Sequence, residues 1–193
     1  MVNGDQERWD KRHAEFCDER GPSSFLERIF RHGPWRIPTG KALDIATGKG
    51  RQAQFLAERG FAVEGIDISE VALAEARRQA EEKSLSILFR QADLDRCDLP
   101  EAAYDLILNF NYLQRSLVPK MKKALKLGGY IIFETYLIDQ RVFGHPRNPA
   151  YFLGHNELLE LFRDLRILYY REGRFTDEGR DAYRAGLFGQ KVR

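Results

Sequence analysis

The sequence predicts an α/β fold, a seven-stranded and mostly parallel sheet with helices on both faces and an antiparallel hairpin at the C-terminal end. Three observations predict it. From Lys41 to Tyr136, apolar strand-like runs alternate with segments of helical periodicity, the pattern of a parallel sheet whose crossovers are helices. Beyond Tyr136 the alternation stops, and two further strand-like runs lie close enough to pair as a hairpin. With 43% hydrophobic and 31% charged residues, the chain can bury a real core, which excludes disordered and fibrous classes. The 193 residues are expected to form one domain. Within it, 1–40 is a helical flank or lid, 41–136 the ligand-binding core, and 137–193 a substrate-side segment with the C-terminal strands.

The elements follow in order. In residues 1–40, seven acids and seven bases surround Trp9, Phe16, Phe25, Leu26, Ile29 and Phe30, a spacing that suits two amphipathic helices. Pro34, Pro38 and Gly40 then punctuate the chain. Residues 41–46 read as a strand entering a glycine-containing turn, 52–59 as a helix and 61–67 as a second strand. Ser69 is placed to cap a helix whose Ala72, Leu73, Ala76 and Ala80 share one face, and 85–91 is the third strand. Residues 104–110 form the fourth strand, 112–126 a helix with Leu113, Leu117, Met121 and Leu125 on one face, and 130–136 the fifth strand. A segment over 139–154 with Pro146 and Pro149 follows, then a short helix near 156–162 and strands at 165–170 and 182–192, joined by a turn within 173–179.

Charge and composition narrow the function classes. Lys and Arg number 31 against 29 Asp and Glu, a net charge of +2, which gives no general attraction for nucleic acid or anionic lipid. The 112–126 helix carries Arg115, Lys120, Lys122, Lys123 and Lys126 without an acid, but no aromatic platform is interleaved with them, so a solvated face is expected in place of an RNA site. No run is long and apolar enough for a membrane span, and the N-terminus lacks a signal-peptide pattern; a cytoplasmic protein is expected. Cys17 and Cys97 stand apart from any metal-ligand spacing, so both read as packed thiols and no metal is expected.

The chemistry concentrates in Leu43-Asp44-Ile45-Ala46-Thr47-Gly48-Lys49-Gly50-Arg51, a strand running through a glycine turn into a helix, where backbone N–H groups can meet a ligand. Residues 48–53 match the dinucleotide pattern G-x-G-x-x-A, with Asp67 near the position of a ribose-binding acid. That spacing alone allows NAD. Asp44, at the carboxyl end of the first strand, argues otherwise: its carboxylate would repel a pyrophosphate and suit a cationic amino group.

Asp44-x-x-x-Gly48-x-Gly50 followed by Asp67 resembles the first two motifs of the class I S-adenosylmethionine-dependent methyltransferases, which share a Rossmann-like fold. Gln91-Ala92-Asp93-Leu94 resembles their adenine-contacting segment, and residues 125–132, with Gly128-Gly129, resemble the helix-turn-strand before their fifth strand. The family's usual glycine is replaced by Ala46, whose methyl fits if the backbone stays at negative φ. The resemblance implies S-adenosyl-L-methionine as cofactor, held by Asp44, Ala46, Thr47, Gly48, Gly50 and Arg51 on the first turn, Asp67 and Ile68 on the second, and Asp93, Leu94 and Asn109 beyond. Trp9-Asp10-Lys11-Arg12, residues 109–115, Phe133-Glu134-Thr135-Tyr136, Arg147-Asn148-Pro149 and residues 157–162 further resemble small bacterial tellurite-resistance methyltransferases. A small, anionic or soft nucleophilic acceptor is the implied substrate; a cofactor-binding protein without turnover, or an NAD-dependent oxidoreductase, is the alternative.

Methyl transfer from a sulfonium needs in-line positioning and water exclusion more than a base, so no residue is assigned as catalytic. Substrate contacts are expected from Tyr112, Arg115 and Tyr136 after the fourth and fifth strands, from Arg141, His145 and Arg147 in the 139–154 segment read as a lid, and from Arg12 and His13 in the N-terminal flank. Residues 109–112, Asn-Phe-Asn-Tyr, also resemble the Asn-Pro-Pro-Tyr loop of amino-methyltransferases. Both prolines that make that loop rigid are missing.

Overall fold

A computed structural model describes residues 2–15, 21–146, 148–177 and 180–192. Its centre is one seven-stranded sheet in the order β3-β2-β1-β4-β5-β7-β6, built from β1 (Lys41–Ile45), β2 (Ala62–Asp67), β3 (Ile87–Gln91), β4 (Tyr104–Phe110), β5 (Leu125–Tyr136), β6 (Arg166–Asp177) and β7 (Arg180–Gln190). The first five strands run parallel, and β7 lies antiparallel to both β5 and β6. All five parallel strands therefore end on one edge, at Ile45, Asp67, Gln91, Phe110 and Tyr136.

Period-two alternation in the strands divides the core between two faces. Leu43, Ile45, Ile107, Ile131 and Phe133 point to one, where they meet α5 (Val118–Ala124) through Val118 and Met121, and α6 (Glu157–Leu161) through Leu158, with Phe162 beside it. Ala42, Val63, Leu106, Leu108 and Ile132 point to the other, against α2 (Ser24–His32), α3 (Arg51–Ala57) and α4 (Glu70–Glu82). Each large apolar side chain so buried is worth about 1.5–3 kcal/mol. The face of α4 read from sequence, Ala72, Leu73, Ala76 and Ala80, is its buried face. Ser69 caps it, accepting a hydrogen bond from the Ala72 amide at 3.1 Å.

The boundaries differ from the sequence reading most in two regions. The expected 112–126 helix is cut at both ends: residues 115–117 form a single 3-10 turn, and α5 starts with Pro119 in its first turn, where the fixed φ and missing N–H of proline favour a helix start. Leu125 leaves the helix because it pairs with Tyr104, so β5 begins five residues earlier than expected. The C-terminal hairpin is longer than expected, because Arg174 and Thr176 both bond Asp181 across the strands and carry the ladder through residues taken for a turn.

The five bases expected on the 112–126 helix each face a carboxylate: Arg115 with Glu157, Lys120 with Asp98, Lys122 with Asp164, Lys123 with Glu101 and Lys126 with Asp105. That surface is locally neutralised. Cys97 is a free, half-buried thiol; Cys17 lies outside the described residues. Among the described residues there is no cluster of metal-ligating side chains, and no helix is long and apolar enough to cross a membrane.

After β5 the chain makes a 3-10 turn (Ile138–Phe143), a second one (Pro149–Tyr151), and returns to the strand end. Leu137 and Leu153 form a parallel bridge, with Ile138 N donating to Leu153 O and Leu153 N to Tyr136 O, both at 2.9 Å. Leu153 is fully buried, so the 139–154 segment is clamped at its base. Leu153→Ala should lower unfolding stability by about 2–5 kcal/mol, the range for a buried leucine; a loss under 0.5 kcal/mol in urea denaturation would show that this closure contributes nothing.

Candidate active site

At the edge where β1 and β2 end, the backbone is held in an unusual form. Ala46 has φ 51°, Gly48 φ 55° and Gly50 φ 76°, three left-handed positions within five residues. The expectation that Ala46 would keep a negative φ is corrected here: its methyl sits in the left-handed region, at a cost of order 1–3 kcal/mol. Neighbouring bonds impose the shape, since Thr47 N donates to Ile66 O and Gly50 N to Thr47 O, each at 3.0 Å. Gly50 could not be replaced: besides its φ, a Cβ there would stand 2.9 Å from Phe89 Cζ.

Three acids line this edge. Asp67 accepts from Gly48 N at 2.8 Å with one oxygen and from Ser69 N at 2.9 Å with the other, tying the glycine turn to the start of α4. A carboxylate has about four acceptor sites, so two remain for a ligand. The helix cap is Ser69, two residues further on, and Asp67 is a brace between loops. Asp93 accepts from Asp95 N at 3.0 Å in the turn after β3, with Arg96 3.7 Å away and Leu94 buried beneath it. Asp44 is only 1% exposed and accepts from Thr47 Oγ1 at 2.5 Å. Burial pushes its carboxyl from the usual 3.8 up to about 7; the bonds from Thr47 and from the Ala53 backbone oppose that rise, and the nearby Asp67 charge adds to it.

A helix lies over these acids. In α1 (Val2–Glu15), Asp10 accepts from Ser69 Oγ at 2.6 Å. His13 reaches to 3.5 Å from where a Gly48 Cβ would stand, and burial lowers its pKa against the pull of Asp67. Arg12 is exposed and lies 5.2 Å from the Trp9 ring. Arg8 bonds the Tyr151 hydroxyl at 2.8 Å, so α1 bridges from α4 to the second 3-10 turn after β5. Asp10, which the sequence marks only as part of the Trp9-Asp10-Lys11-Arg12 resemblance, and Arg8, which it does not mark, carry this docking.

The remaining candidates separate. Asn109 is buried and its amide donates to Tyr112 O at 2.7 Å. Burial of Tyr112, together with the nearby Asp95 and Asp93 charges, raises its phenol pKa. Ile68 O accepts from Gln91 Nε2 at 3.0 Å, and Arg51 donates to Gly21 O at 3.2 Å. Arg115 does not face this group: its guanidinium bonds both Glu157 oxygens and the carbonyls of Ala150 and Phe152, which makes it a clasp for the 139–154 segment. His145 and Arg141 are exposed, and Arg147 lies outside the described residues.

Sequence reasoning missed a second polar cluster, on the ends of β4, β5 and β7. Glu134, fully buried, accepts from Arg171 Nη2 at 2.6 Å and Ser23 Oγ at 3.2 Å. Arg184 donates to Asn111 Oδ1 at 2.6 Å and stands over the Tyr136 ring. Ser23 N in turn donates to Gln52 Oε1 at 3.0 Å, linking this cluster to the start of α3 and so to the glycine turn. The available signal was Glu134 itself, an acid among apolar residues of a central strand, which must find a cationic partner.

Comparison with known proteins agrees with this geometry. Residues 42–129 match the family described as a methyltransferase domain. The probable S-adenosyl-L-methionine-dependent methyltransferase TehB of Haemophilus influenzae is 29% identical over 139 residues, covering 68% of this chain and 48% of that protein. A ubiquinone biosynthesis O-methyltransferase of Alkalilimnicola ehrlichii is 33% identical over 131 residues, covering 63% and 49%. The chain thus spans about half the length of these curated relatives. Among solved structures, TehB from Haemophilus influenzae superposes with TM-score 0.72 at 23% identity over 86% of this chain and 61% of that one, a likeness that speaks for the fold.

Asp44 yields a test independent of any ligand. Its folded pKa is raised, so between about 4 and 7 the native state holds a proton that the unfolded chain has lost, and stability falls as pH rises through that window. Asp44→Asn should therefore raise the melting temperature at pH 8, with the gain shrinking by pH 5; an equal change at both pH values would show that the site does not strain the carboxylate. Over residues 42–129 the chain is similar to a methyltransferase domain, and at 29% identity it resembles TehB, a probable S-adenosyl-L-methionine-dependent methyltransferase.

Proposed function

We propose that this chain transfers a methyl group from S-adenosyl-L-methionine to a small acceptor that is anionic or a soft nucleophile, and that it does so in the cytoplasm. The observation that carries the reading is the alignment of Asp44, Asp67 and Asp93 along one edge of the sheet, with the glycine turn between the first two and α1 above. Asp67 keeps lone pairs for ribose hydroxyls, and the Asp93 carboxylate in the turn after β3 suits the exocyclic amine of an adenine. Asp44 is matched to the one cationic amino group of the cofactor: a buried carboxylate that is costly to ionise alone becomes favourable once a cation lies beside it. The same burial argues against a dinucleotide, whose pyrophosphate would meet Asp44 and Asp67 together.

The protein's own part in the reaction is placement. Tyr112, held by Asn109, and His13 on α1 close the site from two sides and exclude water, and a soft acceptor then needs no base for in-line attack on the methyl carbon. Proton removal is not assigned to a side chain.

S-adenosylhomocysteine should raise the melting temperature and NADH should not, since a ligand bound only by the native state stabilises it by about 2.7 kcal/mol at a hundredfold excess over Kd. In Asp67→Ala, affinity should fall by about 1.5–3 kcal/mol, the loss for bonds to a charged group. Stability should fall too, because Gly48 N and Ser69 N lose their acceptor. Calorimetry showing unchanged affinity, or a shift with NADH alone, would overturn the assignment.

A further inference from the structure

Beside the C-terminal ends of β4 and β5, Arg171 of β6 and Arg184 of β7 form a buried cationic cluster. Arg171 and Arg184 share a single acid, Glu134, so these three side chains carry one uncompensated positive charge in the interior. Arg184 is 8% exposed. Its Nη1 is occupied by Asn111 Oδ1 at 2.6 Å and lies 3.8 Å from Glu134 Oε2, whereas Nη2 has only the Tyr136 hydroxyl at 3.4 Å. Its Nε is buried and has no hydrogen-bond partner among the described residues. Leaving a donor of a buried charged group without a partner is costly, and a fold keeps such a defect where something else completes it.

Nε, unpartnered, and Nη2, which has only the long bond to the Tyr136 hydroxyl, form the side-on edge of the guanidinium, two parallel N–H groups whose spacing matches the two oxygens of a carboxylate. The guanidinium carbon stands 4.5 Å from the Tyr136 ring centroid. Gly173, the cross-strand neighbour of Arg184 on β6, has nothing within 4 Å of where its Cβ would be, so space lies beside the arginine. Asn111, which holds Nη1, is exposed and has φ 57°, a strained non-glycine position of the kind that gathers at ligand sites. Resting on the methyl-transfer reading of the adjoining edge, we propose that Arg184 is the anchor of the acceptor and binds a carboxylate group on it. Glu134 and Arg171 are positioning residues that hold Arg184 in place, and Gln52 with Ser23 couples them to the glycine turn.

One charge and a flat two-oxygen acceptor are what the cluster lacks, which favours a carboxylate over a tetrahedral dianion. The test uses protein saturated with S-adenosylhomocysteine and follows melting temperature with sodium acetate, sodium benzoate or inorganic phosphate, each against sodium chloride at equal ionic strength. Both carboxylates should stabilise the native protein more than chloride or phosphate does. In Arg184→Gln that increment should vanish, and in Arg184→Lys, which keeps the charge without the fork, carboxylate affinity should fall tenfold or more, while both variants keep native affinity for S-adenosylhomocysteine. Carboxylates no better than chloride, phosphate better than carboxylates, or an increment that survives in Arg184→Gln would overturn the proposal. If the variants fold poorly, the Nε resonance of Arg184 in the native protein decides: it should shift on benzoate addition, and an unmoved signal at saturating benzoate sinks the idea. Failure of the native protein to bind S-adenosylhomocysteine would instead count against the cofactor reading.

Discussion

One carboxylate organises the functional edge. Asp67 is the only link described between the glycine turn and the start of α4 that uses both of its oxygens, one on Gly48 N and one on Ser69 N. The chain of bonds continues from Ser69 Oγ to Asp10 and so to α1. Gly48 and Gly50 take the left-handed backbone without strain, whereas Ala46 is held there because such bonds over-determine it. The cover helix, the turn and the second loop are therefore one hydrogen-bonded unit, and what they enclose is set by the geometry of that unit.

The edge is also where the protein departs from what would be most stable. Asp44 is buried where its charge is unfavourable, Ala46 holds a conformation that glycine would adopt without strain, and Arg184 has an unsatisfied donor. By contrast, the five bases between Arg115 and Lys126 each meet a carboxylate, and β1, β4 and β5 divide their apolar side chains between two cores. Three such costs at one edge of a well-packed sheet are the expected signature of a ligand site.

Much of the fold was legible because its periods are simple. Strand-helix alternation gave the parallel sheet, and the buried face of α4 could be written down from four residues. Boundaries failed where a local rule was overruled by a distant partner: Leu125 kept helical spacing but was drawn into a strand by Tyr104, and the hairpin outran its glycines because Arg174 and Thr176 both found Asp181. Within the site, the cofactor-edge acids stood out by spacing around a glycine turn. Arg115 misled because loop position says nothing of what the guanidinium will meet, here Glu157 and two carbonyls. Glu134, Arg171 and Arg184 lie far apart in sequence and converge only through the order of β5, β7 and β6, which no short motif encodes.

The central claim is that the cofactor occupies the edge braced by Asp67 under α1. Amide hydrogen exchange with and without saturating S-adenosylhomocysteine tests it most directly. The account predicts slowed exchange in residues 46–53, in 67–72, in 92–95 and along α1, with the free edge of β6 unaffected. Protection confined to other parts of the chain, or none at a concentration that saturates binding, would contradict it.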